Sequence, residues 1–203
     1  MLESAAGSPK RFRLAVIVGS VREGRFGTTV ATWFVGQTAN RPNLSVDVVD
    51  PVEVGLPLTF PAFGEPPAPE TARVLARVTP QLASADAFVV VTPEYNHSFP
   101  ASLKNFIDWH NEEWHAKPVG FVSYGGLAGG LRAVEQLRVV FAELHAVTIR
   151  ATVSFHSAWN QFDGEGMPTE PAGCNEAAKT MLDQLVWWAH ALRDARTAHP
   201  YIA

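Results

Sequence analysis

The sequence predicts an α/β protein with a five-stranded parallel sheet and helices on both faces. Two patterns carry that expectation: short β-branched apolar runs recur five times, and each is followed by a segment of helical periodicity. A third supports it: glycine, proline and polar residues cluster at the ends of the runs, where turns belong.

"RLAVIVGS" is the first strand, β-branched and ending in Gly19. "TTVATWFVGQTAN" is read as a helix, with Thr28 or Thr29 able to cap its first turn. "SVDVVD" is a second strand that stops at Pro51. "VGLPLTFPAFGEPPAPE" carries five prolines and two glycines and is expected to lack regular structure. "ETARVLARVTPQLASA" is helical, with Pro80 expected to kink it or mark a restart.

"DAFVVVT" is the third strand and the most apolar. "ASLKNFIDWHNEEW" reads as a helix with Leu103, Phe106, Ile107 and Trp109 near one face. "KPVGFVSYGG" is a fourth strand entering a glycine turn. "GLRAVEQLRVVFAELHA" follows as a helix with Leu131, Val134, Leu137, Phe141 and Leu144 along one side. "VTIRATVSF" is the fifth strand. "NQFDGEGMPTEPAG" is a loop containing Cys174's neighbour Gly173, and "NEAAKTMLDQLVWWAHALRDA" is the last helix.

The 203 residues suit one domain, taken as 1–203 with residues 1–11 a flexible N-terminus. A formal charge of -4 gives no basic face for a nucleic acid, so an anionic ligand must be held by local donors. One cysteine, Cys174, excludes an internal disulfide and is read as a free thiol in a loop. No membrane span and no secretion signal is expected, which places the chain in the cytoplasm.

In a parallel sheet of this kind, ligands bind beyond the carboxyl ends of the strands. Three irregular loops fall at that edge. "GSVREGRFGTT" opens a helix, and its amides can receive an anion beside Ser20, Thr28 and Thr29, with Arg22 and Arg25 for charge. The same loop can equally be an ordinary turn with solvated arginines. It lacks the second glycine of a dinucleotide fingerprint and the Lys-Ser/Thr pair of a Walker loop. "TPEYNHSFP" presents Glu94 to Ser98 at a strand end, where backbone amides suit the edge of a flat heterocycle and Tyr95 and Phe99 offer apolar surface. Asn96 and Ser98 also suit a turn or cap, His97 an ordinary hydrogen-bonded loop residue, and Pro100 the first turn of the next helix. In "SYGGLAGG", Gly125 and Gly126 permit close backbone approach, although paired glycines also make plain turns.

On the residues "TPEYNHSFPASLKNFIDW", "KPVGFVSYGGLAGGLRAVEQLR" and "VGSVREGRFG", the sequence resembles the NADPH-dependent FMN reductase family of flavodoxin-like proteins, which includes quinone, azo-dye and chromate reductases. The resemblance runs from about Phe12 into the last helix. It implies a flavodoxin-like three-layer sandwich with strand order 2-1-3-4-5 and an FMN cofactor reduced by NADPH or NADH. It implies a ping-pong passage of hydride to FMN and then to a quinone, azo compound, free flavin or similar small-molecule acceptor. Carried over by position, Ser20, Arg22, Gly27, Thr28 and Thr29 would bind the FMN phosphate. Pro93, Glu94, Tyr95 and Asn96 would line the ring, largely through backbone groups, and Ser123, Tyr124, Gly125 and Gly126 would hold its other edge. The family pattern differs here at "FGTT", where Thr28 stands in for a serine.

No protein nucleophile or general acid is required by that chemistry, so no catalytic residue is assigned; Tyr95, His97 and Tyr124 can orient a substrate. A flavodoxin-like electron carrier without nicotinamide activity and a flavoenzyme dedicated to one biosynthetic substrate are the alternatives. Arg22, Arg25 and Arg132 are the candidates for a nicotinamide 2′-phosphate. Phe60, Phe63, Trp159 and Phe162 can line an acceptor pocket or fill the core. Trp33, Trp187 and Trp188 are expected to pack inward. Trp109 and Trp114, flanking "HNEE", are expected at a subunit contact of a homodimer or homotetramer. His110 and His115 are five apart, unlike a zinc-binding helix, and no metal site is assigned.

Overall fold

The computed structural model describes residues 11–202; the flexible N-terminus expected over 1–11 lies almost wholly outside them. The order of elements is β1 (Phe12–Val18), α1 (Gly27–Gln37), β2 (Leu44–Val49), α2 (Pro51–Val54), α3 (Pro69–Ser84), β3 (Ala87–Pro93), α4 (Ala101–Asp108), β4 (Pro118–Gly125), α5 (Leu131–Glu143), β5 (Val147–His156) and α6 (Pro171–Ala198). All strand pairs are parallel, in the order β2-β1-β3-β4-β5.

Residues alternate across each strand, and the alternation divides the core in two. Leu14, Val16, Val18, Val89 and Val91 face α1 and α6, where Trp33, Phe34, Leu182 and Leu185 cover them. Ala15, Ile17, Phe88, Val90 and Phe121 face the other way, under Leu82, Phe106, Leu137 and Phe141 of α3, α4 and α5. Burial on both faces is why the central strands read as continuous apolar runs. Pro93 ends β3 opposite Tyr124 of β4.

Several helices differ from expectation. Neither threonine caps α1: Phe26 stands at the N-cap without a side-chain bond, and the Thr28 hydroxyl donates back to the Arg25 carbonyl at 3.3 Å. Pro51 begins the short α2, whose first turn donates to Asp50: the carboxylate accepts the Val52 N–H at 3.1 Å, and the Asp50 carbonyl accepts those of Glu53 and Val54 at 3.0 Å. α3 runs through Pro80 without interruption. Pro100 is the N-cap of α4 (φ -60, ψ 140), one place ahead of its first turn.

α4 ends at Asp108, six residues before Trp114. The cause lies in Trp114, whose indole N–H donates to the carbonyls of His110 (2.9 Å) and Ile107 (3.3 Å) as the chain folds back through a 3-10 turn. Its ring packs against Phe88 and Phe141, fully buried within the chain, so it is a core residue and no subunit contact. Trp33 is buried as expected, but Trp187 and Trp188 are exposed at 64% and 37% and pack edge-to-face on one another. Both lie on the outer side of α6, whose inner side is filled by Met181, Leu182, Leu185 and Ala189. Cys174 lies inside α6, three residues past its start, with its thiol directed at the Pro171 carbonyl. Burial pushes that thiol's pKa up, which favours its protonated form.

Candidate flavin site

Strand order reverses at β1: the chain moves from β1 to β2 on one side and later to β3 on the other. The loops leaving β1 and β3 therefore emerge side by side, at the switch point where such sheets open a crevice. The loop leaving β4 lies next to them.

Gly19 carries the first loop away from the sheet. Its N–H donates to the Val91 carbonyl at 2.8 Å, and a Cβ there would lie 3.0 Å from that same oxygen. A larger residue would crowd β3 there. Ser20 follows, almost completely buried, its hydroxyl 2.7 Å from the Tyr95 hydroxyl of the second loop. Arg22 is exposed and rests its guanidinium 4.8 Å from the centre of the Tyr95 ring. Arg25 is committed elsewhere: it donates to the Ser20 carbonyl at 2.7 Å and pairs with Asp50 through both guanidinium nitrogens. It fastens the loop to the end of β2, leaving Arg22 as the loop's available cation.

α1 begins with Gly27, and a Cβ there would sit 2.6 Å from the Tyr124 hydroxyl. Glycine thus lets Tyr124 approach the helix's positive end. Burial raises the Tyr124 phenol well above its ordinary pKa, with Tyr95 adding to the effect and Ser20, Arg25 and Arg22 partly offsetting it. It is a neutral hydroxyl across the working pH range.

The second loop is a tight turn. Tyr95 and Ser98 exchange backbone bonds of 2.8 and 3.0 Å, and Asn96 (φ 51) and His97 (φ 69) occupy its left-handed centre. Two successive positive φ values match a type I′ turn, and Asn tolerates the first of them. α5 holds this turn in place. Gln136 donates to the His97 carbonyl at 2.7 Å and accepts from the Ser98 hydroxyl at 2.6 Å. Glu94, nearly buried, pairs with Arg132 at 2.8 Å and accepts the Arg132 N–H at 3.3 Å, capping α5. That ion pair leaves Arg132 less free for a nucleotide phosphate than Arg22.

The third loop is anchored from below. Hydroxyls of Ser123 and Ser154 both donate to the Gly129 carbonyl at 2.8 Å. Gly129 and Gly130 have φ 58 and 86, and a Cβ on Gly130 would come within 2.7 Å of Ser123 Cβ. The Glu94 N–H donates to the Tyr124 carbonyl at 3.3 Å, tying this loop to the second.

Ser20, Arg22, Gly27, Glu94, Tyr95 and Tyr124 are thus brought into one cluster. Thr28 is exposed and Thr29 half-buried at the same helix end, and Asn96 is exposed at the turn tip. Ser123 is buried and works underneath the loop, and Pro93 is buried at the end of its strand, while Gly125 and Gly126 are half-buried. Among the described residues, the amides of Gly27, Thr28, Thr29, Asn96, His97, Gly126 and Leu127 make no hydrogen bond. Free donors along one crevice, at an uncapped helix start, suit a phosphate at one end and the acceptor edge of a flat ring at the other. FMN has both parts, and the residues present fit it.

The sequence reading assigned no role to the loop after β5 beyond Trp159 and Phe162. Phe162 is buried against Phe26 and Phe155. Gly166 of this loop approaches Thr29: a Cβ there would lie 3.2 Å from the threonine methyl. Phe60 stacks on Trp109 at 4.4 Å, while Phe63 stands free in solvent. Among the described residues, no cluster of three His, Cys, Asp or Glu could hold a metal ion, and no helix is long and apolar enough to cross a membrane.

Fold and crevice together define a flavodoxin-like α/β protein with a flavin-type site at its switch point. Residues 12–160 match the family described as NADPH-dependent FMN reductase, and the chain belongs to that family. A probable NADPH:quinone oxidoreductase of Oryza sativa subsp. japonica is 32% identical over 197 residues, spanning 92% of this chain and 92% of that protein. An NAD(P)H-dependent FMN reductase of Schizosaccharomyces pombe is 39% identical over 125 residues, 58% of this chain and 60% of that protein. Among solved structures, a flavoenzyme NAD(P)H:(acceptor) oxidoreductase from Paracoccus denitrificans superposes with a TM-score of 0.69 at 21% identity, covering 89% of this chain and 98% of that one. At that identity the likeness establishes the fold.

Proposed function

We propose that this NAD(P)H-dependent FMN reductase holds FMN in the crevice between the loops that leave β1, β3 and β4 and serves quinones, azo compounds or free flavin as acceptors. The observation that carries the reading is the row of unpaired amides at Gly27–Thr29, Asn96–His97 and Gly126–Leu127, set beside the Ser20, Tyr95 and Tyr124 hydroxyls. When bound, FMN supplies hydride acceptance from NAD(P)H and its return to a second acceptor, in ping-pong order.

The chain's own part is position and charge. Amides at the start of α1 and the guanidinium of Arg22 receive the phosphate, with the Ser20 hydroxyl beside them. Arg25, bonded to Asp50, keeps the loop in that shape. Glu94 and Gln136 hold the 94–98 turn against α5, so that its tip amides meet the ring edge without reorganisation. Tyr124 remains protonated and can donate, whichever redox state the site accommodates. His97, exposed and strained at the turn tip, can orient a substrate. The protein works in the cytoplasm as a homodimer or homotetramer; Leu58, Phe60 and Phe63, exposed in the proline-rich segment beside Trp109, offer an apolar surface for pairing.

The test is spectroscopic. Purified protein titrated with FMN is expected to bind it, and anaerobic NADPH or NADH is expected to bleach the flavin bands within seconds. Protein that binds no FMN refutes the site. Bound flavin that neither nucleotide reduces refutes the reductase and favours an electron carrier.

A further inference from the structure

The segment after β5 places a large apolar side chain in water and holds it there. Ser157 adopts φ 47 and ψ 49, a left-handed conformation that non-glycine residues enter at a cost. Its N–H donates to the Gly126 carbonyl at 2.8 Å, pinning it to the third loop of the flavin crevice. Ala158 is fully buried and anchors the next turn, which closes with Asn160 N–H to Ser157 (2.9 Å) and Gln161 N–H to Ala158 (3.0 Å). Trp159 projects from that pedestal with 64% of its surface exposed.

Its ring lies 3.5 Å from where a Cβ on Gly126 would be. Among the described residues it has no aromatic neighbour in stacking range, whereas exposed Trp187 and Trp188 cover one another. Leu127, exposed at 90%, and His156, bonded through Nδ1 to the Leu127 carbonyl at 2.9 Å, stand beside the same loop. Strain in the backbone, an exposed indole on a hydrogen-bonded turn and continuity with the crevice are together unexplained by packing.

We propose that Trp159 is the specificity-determining residue of the electron-acceptor subsite, its indole receiving flat aromatic acceptors of the bicyclic quinone class over Gly126. This rests on the reading of the crevice as the flavin site. An indole face offers dispersion and quadrupole contact to a planar ring and little to a compact hydrated anion. The residue therefore discriminates between acceptors without taking part in electron transfer.

The test compares full-length wild type, Trp159→Ala and Trp159→Phe, using 1,4-naphthoquinone and ferricyanide as acceptors at saturating NADPH. The ratio of the naphthoquinone KM to the ferricyanide KM is expected to rise about tenfold in Trp159→Ala, the loss of one aromatic stacking partner, and less than about threefold in Trp159→Phe. An unchanged ratio overturns the proposal. So does a parallel loss of FMN affinity, which would make Trp159 a cofactor contact, or a changed molecular mass by light scattering, which would make it a subunit contact. A second readout needs no turnover: saturable quenching of tryptophan emission by naphthoquinone is expected in the wild type and absent in Trp159→Phe. Should the wild type fail to bind FMN or to reduce either acceptor, the flavin reading falls, and the quenching titration alone decides whether a planar ligand sits at Trp159.

Discussion

Replacing Gly130 by alanine isolates the close packing that shapes the third loop. Gly130 sits at φ 86 and ψ 5 as the N-cap of α5, and a Cβ there would meet Ser123 Cβ at 2.7 Å and the Tyr124 nitrogen at 2.9 Å. Both belong to β4, a central strand hydrogen-bonded on either side, so neither can withdraw cheaply. Left-handed backbone costs an alanine about 1–2 kcal/mol. Forcing a methyl into filled space adds about 1–3 kcal/mol. Gly24 separates the two contributions, since it has φ 62 and nothing within 4 Å of a built Cβ. Gly24→Ala should therefore lose only the backbone part, and Gly130→Ala about 2–5 kcal/mol in all. For a chain of this size that difference is a further drop in Tm of about 2–12 °C. Urea denaturation followed by circular dichroism, without added FMN so that ligand linkage does not intrude, gives both values directly. If the two variants agree within about 0.5 kcal/mol, the steric argument for Gly130 is wrong.

Two further predictions follow from ionisable groups. Glu94 and Arg132 should couple by about 1 kcal/mol in a double-mutant cycle of Glu94→Gln and Arg132→Gln, a modest figure because Arg132 is 44% exposed and water screens the pair. Additivity within about 0.3 kcal/mol would show that the ion pair does not hold the turn. Lys117 is buried, donating to the carbonyls of Leu82 (3.0 Å) and Ala83 (2.8 Å), and its pKa falls from 10.5 to about 8 through burial first and Arg196 second. Because the folded value is the lower one, the unfolded chain holds the extra proton between about pH 8 and 10.5, and this group's penalty on folding is present below pH 8 and relieved as pH rises through that window. The stability of the wild type relative to Lys117→Met should improve by up to about 3 kcal/mol between pH 7 and pH 10.5. A difference that stays flat over that range in urea denaturation would show that Lys117 is not penalised by burial.

Periodicity and punctuation in the sequence determined the five strands, the helices between them and the three loops at one sheet edge. These are local matters: β-branched runs buried on both faces, an apolar stripe every three or four residues, glycine where the backbone must turn or approach. That the turns around Ser20, Tyr95 and Gly126 lie at one edge of the sheet was legible for the same reason, since such turns need particular residues. What tertiary structure decided was how far each side chain is from its neighbours. Trp187 was expected to pack inward and Trp114 at a subunit contact, yet Trp114 fills the core and Trp187 faces water, because a tryptophan's burial depends on which side of a helix or turn the rest of the chain covers. Arg22 and Arg25 likewise look equivalent as loop cations three residues apart. Only the folded chain brings Asp50, from the end of another strand, against Arg25, while Arg22 stays exposed.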